Sequence, residues 1–281
     1  MPKYIPFVSK EHENALREFV LAGITFFFVP VCFYLDVGSD SVFQNTLGVG
    51  AWLCLFVLLG SEDKLVRAQV LVAVMFAGLG EYYASVYMGG YTYRLENVPA
   101  FVPPGHGLVY FTAVVLARSR YFQSNIKTIT RFVFVVGGGW AFWGLAVSDR
   151  YDLIGFLLFG IYVICYFKGP SPKIYLAAFF ITSWLEIVGT YLGTWRWAEI
   201  DPASGFAQGN PPSGVAAWYC LVDAVAIAGA PKVIAEVKNL QDRIRFCRVP
   251  AIEGIFVGLR VSTTQFFSQD RMLIFVLLYF L

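Results

Sequence analysis

Charged side chains are scarce in this chain: Asp, Glu, Lys and Arg make up 14% of its 281 residues, against 58% apolar. So little charge, with apolar runs far longer than a core helix needs, excludes an ordinary soluble domain and points to a polytopic membrane protein. Histidine is scarcer still: His12 and His106 are the only two, which rules out a histidine-rich metal centre of the membrane desaturase kind. Cys32, Cys54, Cys165, Cys220 and Cys247 are scattered, four of them within apolar runs, with neither disulfide-framework nor metal-site spacing. They read as packing residues, and neither a metal nor a cofactor is expected. A phosphate loop is missing too, because Gly137-Gly138-Gly139 lies inside an apolar run with no Lys-Ser or Lys-Thr behind it. The net charge of +2 is better explained by membrane topology than by nucleic acid, which is not expected as a partner. Ahead of the first apolar run, Lys3, Lys10, Glu11 and Glu13 stand without the short apolar region and small-residue cleavage site of a secretory signal. The first span is therefore expected to be retained.

What the chain does have is apolar segments, over roughly 16–37, 43–60, 66–90, 104–118, 131–148, 151–168, 173–194 and 212–230. Each comes close to the roughly 20 residues that a bilayer-spanning helix requires, or falls somewhat short of it. The reading is an all-α, polytopic transmembrane helical bundle of about eight spans. Sorting Lys and Arg by alternate loops puts eighteen on one side and only Arg94, Arg150 and Arg196 on the other. Basic residues accumulate on the cytoplasmic side, so both termini are expected there, in an integral protein of a prokaryotic cytoplasmic membrane. Beyond Ala230, basic residues from Lys232 to Arg248 interleave with Val233, Ile234, Val237, Leu240 and Ile244. That pattern predicts an amphipathic basic helix for the membrane surface, with membrane lipids and protein partners as its contacts. The last apolar stretch, Met272 to Leu281, is too short to cross alone; either it packs against the bundle or the chain is cut from something longer.

An internal repeat organises the spans. Glu81 is followed by Gly89, Tyr91, Tyr93 and Pro103-Pro104, and Glu186 by Gly193, Trp195, Trp197 and Pro211-Pro212. Aligned at Tyr91 and Trp195, Tyr87 meets Tyr191 and Met88 meets Leu192; aligned at the proline pairs, Tyr110 meets Trp218; the glutamates miss register by one. Eight spans with such a repeat divide into residues 1–120 and 121–230, four helices each, leaving 231–281 as a cytoplasmic segment. An even number of spans per unit makes the repeat parallel. In each half the third helix carries the glutamate, and a proline pair opens the fourth, where a missing N–H is harmless.

A carboxyl group inside the membrane is costly and reads as functional by default. At the helical rise of about 1.5 Å per residue, Glu81 and Glu186 lie in the outer half of their spans, with His106 near the outer mouth and Asp223 near mid-depth. Glu81, Glu186 and Asp223 are therefore the candidate acid and base groups. Tyr82, Tyr91, Tyr93, Arg94, His106, Trp184, Trp195, Arg196, Trp197, Asn210 and Trp218 are the candidate substrate-binding residues, and the rings of Tyr82, Tyr83, Trp184, Tyr191, Trp195, Trp197, Trp218 and Tyr219 can present π faces to a polyene or to a positively charged transition state. A plainer reading stands beside this one. Tyr91, Tyr93, Trp195 and Trp197 fall where an interfacial aromatic belt belongs. Either acid can serve simply to bond Arg94, Arg196 or the backbone, and Asn210 suits a turn. Gly189-x-x-x-Gly193 fits a helix-packing motif.

The stretch Glu186-Ile187-Val188-Gly189-Thr190-Tyr191-Leu192-Gly193, with Trp195-Arg196-Trp197, Pro211-Pro212 and Trp218, resembles the integral-membrane carotenoid hydratase family of bacterioruberin biosynthesis. The resemblance covers residues 186–218, with an echo at 81–110, and departs from the family pattern in having tryptophan where tyrosine is expected and a shorter piece after Gly193. It implies water addition to the terminal double bond of a linear carotenoid without metal or redox cofactor, and carries over to Glu186 and Arg196. Three functions follow from the sequence: a cofactor-independent hydratase or cyclase acting on an isoprenoid or other lipid-soluble small molecule, a transporter or lipid-binding protein, and an assembly subunit of a membrane complex.

Overall fold

A computed structural model describes residues 15–246; the expectations for the amino-terminal stretch and for the tail beyond Phe246 lie outside the described residues. The chain is mainly helical: α1 Ala15–Asp36, α2 Ser41–Leu59, α3 Lys64–Glu81, α4 Val102–Arg118, α5 Arg120–Ser124, α6 Ile126–Ala146, α7 Leu153–Lys168, α8 Pro172–Leu192 and α9 Ala217–Phe246. The helix of α3 continues as a π-helical turn, Tyr82–Tyr87. Two short strands, β1 Tyr91–Tyr93 and β2 Trp195–Trp197, are an addition to the all-α expectation.

Local chemistry sets the boundaries. The Asp40 carboxylate accepts from the Phe43 N–H at 2.8 Å to start α2, and Asp63 does the same for α3 through Val66 at 2.9 Å, each satisfying an orphan donor of the first turn. Pro103-Pro104 stands in the first turn of α4, as expected. The second proline pair departs from expectation: Pro211-Pro212 lies in the loop before α9, and the helix begins only at Ala217. Nor is there a break at residue 230, because α9 runs through Pro231 to Phe246 as one helix. Gly89 and Gly193 both have left-handed backbone (φ +72° and +73°), so each strand is entered through a turn that favours glycine.

Five helices, Leu16–Asp36, Ser41–Leu59, Lys64–Tyr87, Ile126–Ala146 and Pro172–Leu192, are long and apolar enough to cross a membrane, and Leu153–Lys168 is a shorter apolar one. Their outward faces carry exposed Phe27, Val57, Leu79, Val135, Ile164 and Tyr191. So much contiguous apolar surface is compatible with a membrane protein, where lipid takes the place of water. The buried stripe of α6 is Val133 followed by the small residues Gly137, Ala141 and Gly144; a Cβ on Gly137 would press into the rings of Phe159 and Phe179. Gly137 thus permits close helix contact.

At the centre stands α4, whose residues from Gly107 to Val115 are all buried. Its closest partners are α3 and α8, and α3 in turn packs most closely on α9. The α3–α9 and α4–α8 pairs both cross residue 120, so segments 1–120 and 121–230 interlock instead of standing side by side. One end of the bundle is fastened by Arg118, which bridges Glu18 at 2.8 Å and Glu62 at 2.6 Å, with Arg17 on the same two acids at 2.9 Å. The opposite end is closed by the strand pair.

Candidate functional site at the strand-pair end

The strands form an antiparallel ribbon in which Tyr91 opposes Trp197, Thr92 opposes Arg196 and Tyr93 opposes Trp195. Side chains alternate along a strand. The four aromatics therefore point inward and are buried, while Thr92 and Arg196 point out. The two aromatic motifs of the repeat thus meet face to face, and each returns its polar tips to the glutamate of its own helix. Tyr91 and Tyr93 donate their hydroxyls to Glu81 Oε2 at 2.5 and 2.6 Å. Trp195 and Trp197 donate their indole N–H groups to Glu186 Oε2 at 3.0 and 3.1 Å.

The other oxygens differ. Glu81 Oε1 lies 2.8 Å from His106 Nε2, and His106 Nδ1 lies 2.6 Å from the Tyr219 hydroxyl. With phenols donating to Oε2, the consistent assignment has the Nε2 proton donated to Oε1 and Nδ1 accepting from Tyr219. Glu186 Oε1 has no hydrogen bond among the described residues, although Glu186 is 9% exposed and lines a cavity. In the ribbon, burial first and then the nearby Glu81 charge push the Tyr91 and Tyr93 phenols up, so they stay protonated and serve as donors.

That cavity has a volume of about 620 Å³, and Glu81, Glu186, His106 and Tyr219 all line it, within a mainly apolar wall. The volume falls within the roughly 300–1,000 Å³ usual for small-molecule sites. Two kinds of surface meet at its mouth. Leu157 and Ile161 of α7 and Trp218 and Leu221 of α9 line it while standing 44–52% exposed on the apolar flank. Asp201 and Ser204, from the loop after the ribbon, line its polar edge.

The surrounding loops are held by groups that have no place in the cavity. Arg150 donates to the carbonyls of Gln208, Trp197 and Ala198 at 2.8–2.9 Å. Asp152 accepts from the backbone N–H groups of Gly155, Gly209 and Ser213 at 2.7–2.9 Å. Gly189 seats the Trp195 indole, which a Cβ there would overlap, and Gly193 turns the chain. Gly189-x-x-x-Gly193 is thus a seat for the ribbon, not a contact between helices.

Among the residues expected at the site, Glu81, Glu186, Tyr91, Tyr93, His106, Trp195, Trp197 and Trp218 converge on the cavity. The others do not line it. Tyr82 is 57% exposed, carried outward by the π-helical turn. Arg94 is drawn to Asp36 at 3.3 Å and to Ser39 at 2.9 Å, where it clasps the end of α1. Trp184 donates its indole N–H to the Phe26 carbonyl at 3.1 Å. Arg196, on the outward side of the ribbon, pairs with Glu199 at 3.6 Å. Asn210 accepts from the Trp197 N–H at 2.9 Å and so braces the strand. Asp223 is fully buried away from the cavity. Tyr219, one of the aromatics expected to offer a π face, also lines the cavity, and its bond to His106 is what the sequence does not signal. Among the described residues no group of three His, Cys, Asp or Glu side chains could hold a metal ion.

No family model, no curated protein and no solved structure matches this chain. The geometry of the cavity therefore carries the functional reading.

Proposed function

We propose that the chain is an integral membrane enzyme that works without a cofactor, using Glu81 and Glu186 as a proton-exchanging pair on an isoprenoid, carotenoid or other lipid-soluble substrate. The observation that carries this reading is the convergence of two carboxyl groups, a part-buried one closed by donors and a buried one with an open oxygen, on a single mainly apolar cavity. In this reading eight spans, α1, α2, α3 with its π-helical turn, α4, α6, α7, α8 and the first part of α9, form a parallel 4+4 duplication. Both termini are cytoplasmic, and the ribbon closes the outer side. The mouth then lies at the outer interface, where a chain arrives from the lipid flank and water from the polar edge.

Glu186 is the acid. Its Oε1 faces the cavity, and a proton given from there to one carbon of a terminal double bond leaves a cation on the other. The π faces of Trp195, Trp197, Tyr91 and Tyr219 stabilise that cation. Capture by water forms the C–O bond, and the excess water proton passes to the Tyr219–His106–Glu81 chain. Hydrogen and hydroxide are thereby added across the alkene, and the proton must return from Glu81 to Glu186 before the next turnover. Loss of a proton from a cyclised cation would use the same groups. This is the chemistry implied by the resemblance to carotenoid hydratases.

The test is to incubate the purified protein with linear polyenes and follow the products by mass spectrometry. A product heavier by one water, or a cyclised isomer, is expected, and both should disappear in the Glu81→Gln, Glu186→Gln double variant. Full activity in that variant removes the mechanism. Flux of an unchanged solute into proteoliposomes, sensitive to the same two residues, would establish the transporter reading instead. Loss of a copurifying complex on deletion of residues 231–281 would establish the assembly role.

A further inference from the structure

Asp223 is fully buried, and neither carboxyl oxygen has a hydrogen-bond partner among the described residues. The titratable groups facing it come from four helices: Tyr110 of α4, Tyr162 of α7, Tyr175 of α8, and Tyr219 and Cys220 of α9. None of these groups is basic. An ionised carboxylate without donor or cation costs several kcal/mol or more. A carboxylic acid, carrying its own O–H, avoids that cost.

The position of Asp223 is as informative as its isolation. It follows Tyr219 by one helical turn on the same face of α9, and the Tyr219 hydroxyl reaches His106, which reaches Glu81. On α4 the same spacing recurs, Tyr110 following His106 by one turn, and the buried Tyr110 hydroxyl is also unpartnered among the described residues. The cavity wall, with His106 and Tyr219, is therefore backed by a second layer, one turn deeper, made of Tyr110 and Asp223.

We propose that Asp223 is the proton reservoir of the cavity, exchanging a proton with Glu81 through Tyr219 and His106, and is not itself in contact with substrate. Asp223 and the Tyr219 hydroxyl lie beyond hydrogen-bond distance, so in the forward transfer a bridging water takes the Asp223 proton and gives one of its own to the Tyr219 oxygen, as the Tyr219 proton moves to His106 Nδ1 and the Nε2 proton moves to Glu81 Oε1. One proton and one negative charge change places, and the imidazole ends in its other tautomer. The Tyr110 hydroxyl, idle at rest, becomes the donor to the newly formed carboxylate. The same steps run backward. The inference rests on the reading of Glu81 as a proton-exchanging group, but the test needs no substrate, so failure to turn over polyenes and failure of the relay are separate results.

The experiment follows the protonated carboxyl stretch by infrared difference spectroscopy on the full chain in lipid bilayer discs transferred to heavy water. A band lost in Asp223→Asn, or displaced in Asp223→Glu should the first variant fail to fold, identifies the residue. In the wild type that band is expected to exchange its proton readily, and in Tyr219→Phe and His106→Gln at least about 10-fold more slowly. Equal exchange rates in wild type and both variants would overturn the relay. Absence of any protonated band assignable to Asp223 would overturn the reservoir.

Discussion

At Glu81 the ribbon supplies two phenols and α4 adds an imidazole, so both oxygens are engaged. At Glu186 the ribbon supplies two indoles to one oxygen, and the other is left to the cavity. The scaffold is the same in both places: a helix, a left-handed glycine, and a strand of alternating inward aromatics. The chemistry is not. A carboxyl group surrounded by donors is stabilised as a charge, whereas one with a free oxygen is placed to hold and deliver a proton. Small changes of side chain on the same local frame thus leave one carboxyl closed and the other open, which is the division of labour that the proposed acid–base reading uses.

The largest effect should come from attacking the open carboxyl. Glu186→Gln keeps the shape and an acceptor oxygen for the indoles but removes the acid, and turnover of a polyene should fall by roughly 10²–10⁴-fold. Thermal unfolding in detergent should move little, whereas a comparable loss of stability would mean that Glu186 is structural. Next comes Glu81→Ala, which strands two phenols and an imidazole; unfolding measurements should show a loss of roughly 3–5 kcal/mol. If Glu186→Ala is the more destabilising of the two, the contrast between closed and open carboxyl groups is wrong.

Smaller changes sharpen the same contrast. Gly189→Ala forces the Trp195 indole from its seat and should cost roughly 1–3 kcal/mol with an altered tryptophan emission. Gly80→Ala, with open space where the methyl would go, serves as its near-neutral control. The smallest effect is one of pH. Because the Tyr91 and Tyr93 phenols are pushed up, their contribution to stability is intact below the ordinary phenol value of about 10 and is lost as pH rises beyond it. In an ultraviolet titration the late phenolate component of the Tyr91→Phe, Tyr93→Phe double variant should be smaller than in the wild type; an unchanged amplitude would mean that neither phenol is raised.

Much of the site was legible because its parts repeat in sequence. Glu81 and Glu186, the two aromatic pairs and the glycine before each pair could be found by comparing the chain with itself, and period-two alternation accounts for why Arg196 points away. What could not be read came from partners distant along the chain. The ribbon joins Tyr91 to Trp197. Arg94 finds Asp36, 58 residues earlier, and His106 finds Tyr219, 113 residues later. No local pattern encodes such pairs, so Arg94 was expected at the cavity and the bond of Tyr219 to His106 was not. Asp223 is buried but does not line the cavity, because helical rise gives position along an axis and not the direction in which a side chain faces. The apolar segments marked out the helices, while their interlocked packing depended on which faces met in space.

The pairing of α3 with α9 and of α4 with α8 has a consequence for how the chain is made. A ribosome that has released only the first four helices has produced neither the partner of α3 nor the strand that β1 needs, and the His106 ring still awaits Tyr219. The nascent intermediate must sit in the bilayer with a polar glutamate, two phenols and an imidazole lacking half of their surroundings. Helix α9 is therefore the closing bolt of the assembly, and chains stopped short of it should be preferred targets of membrane quality control.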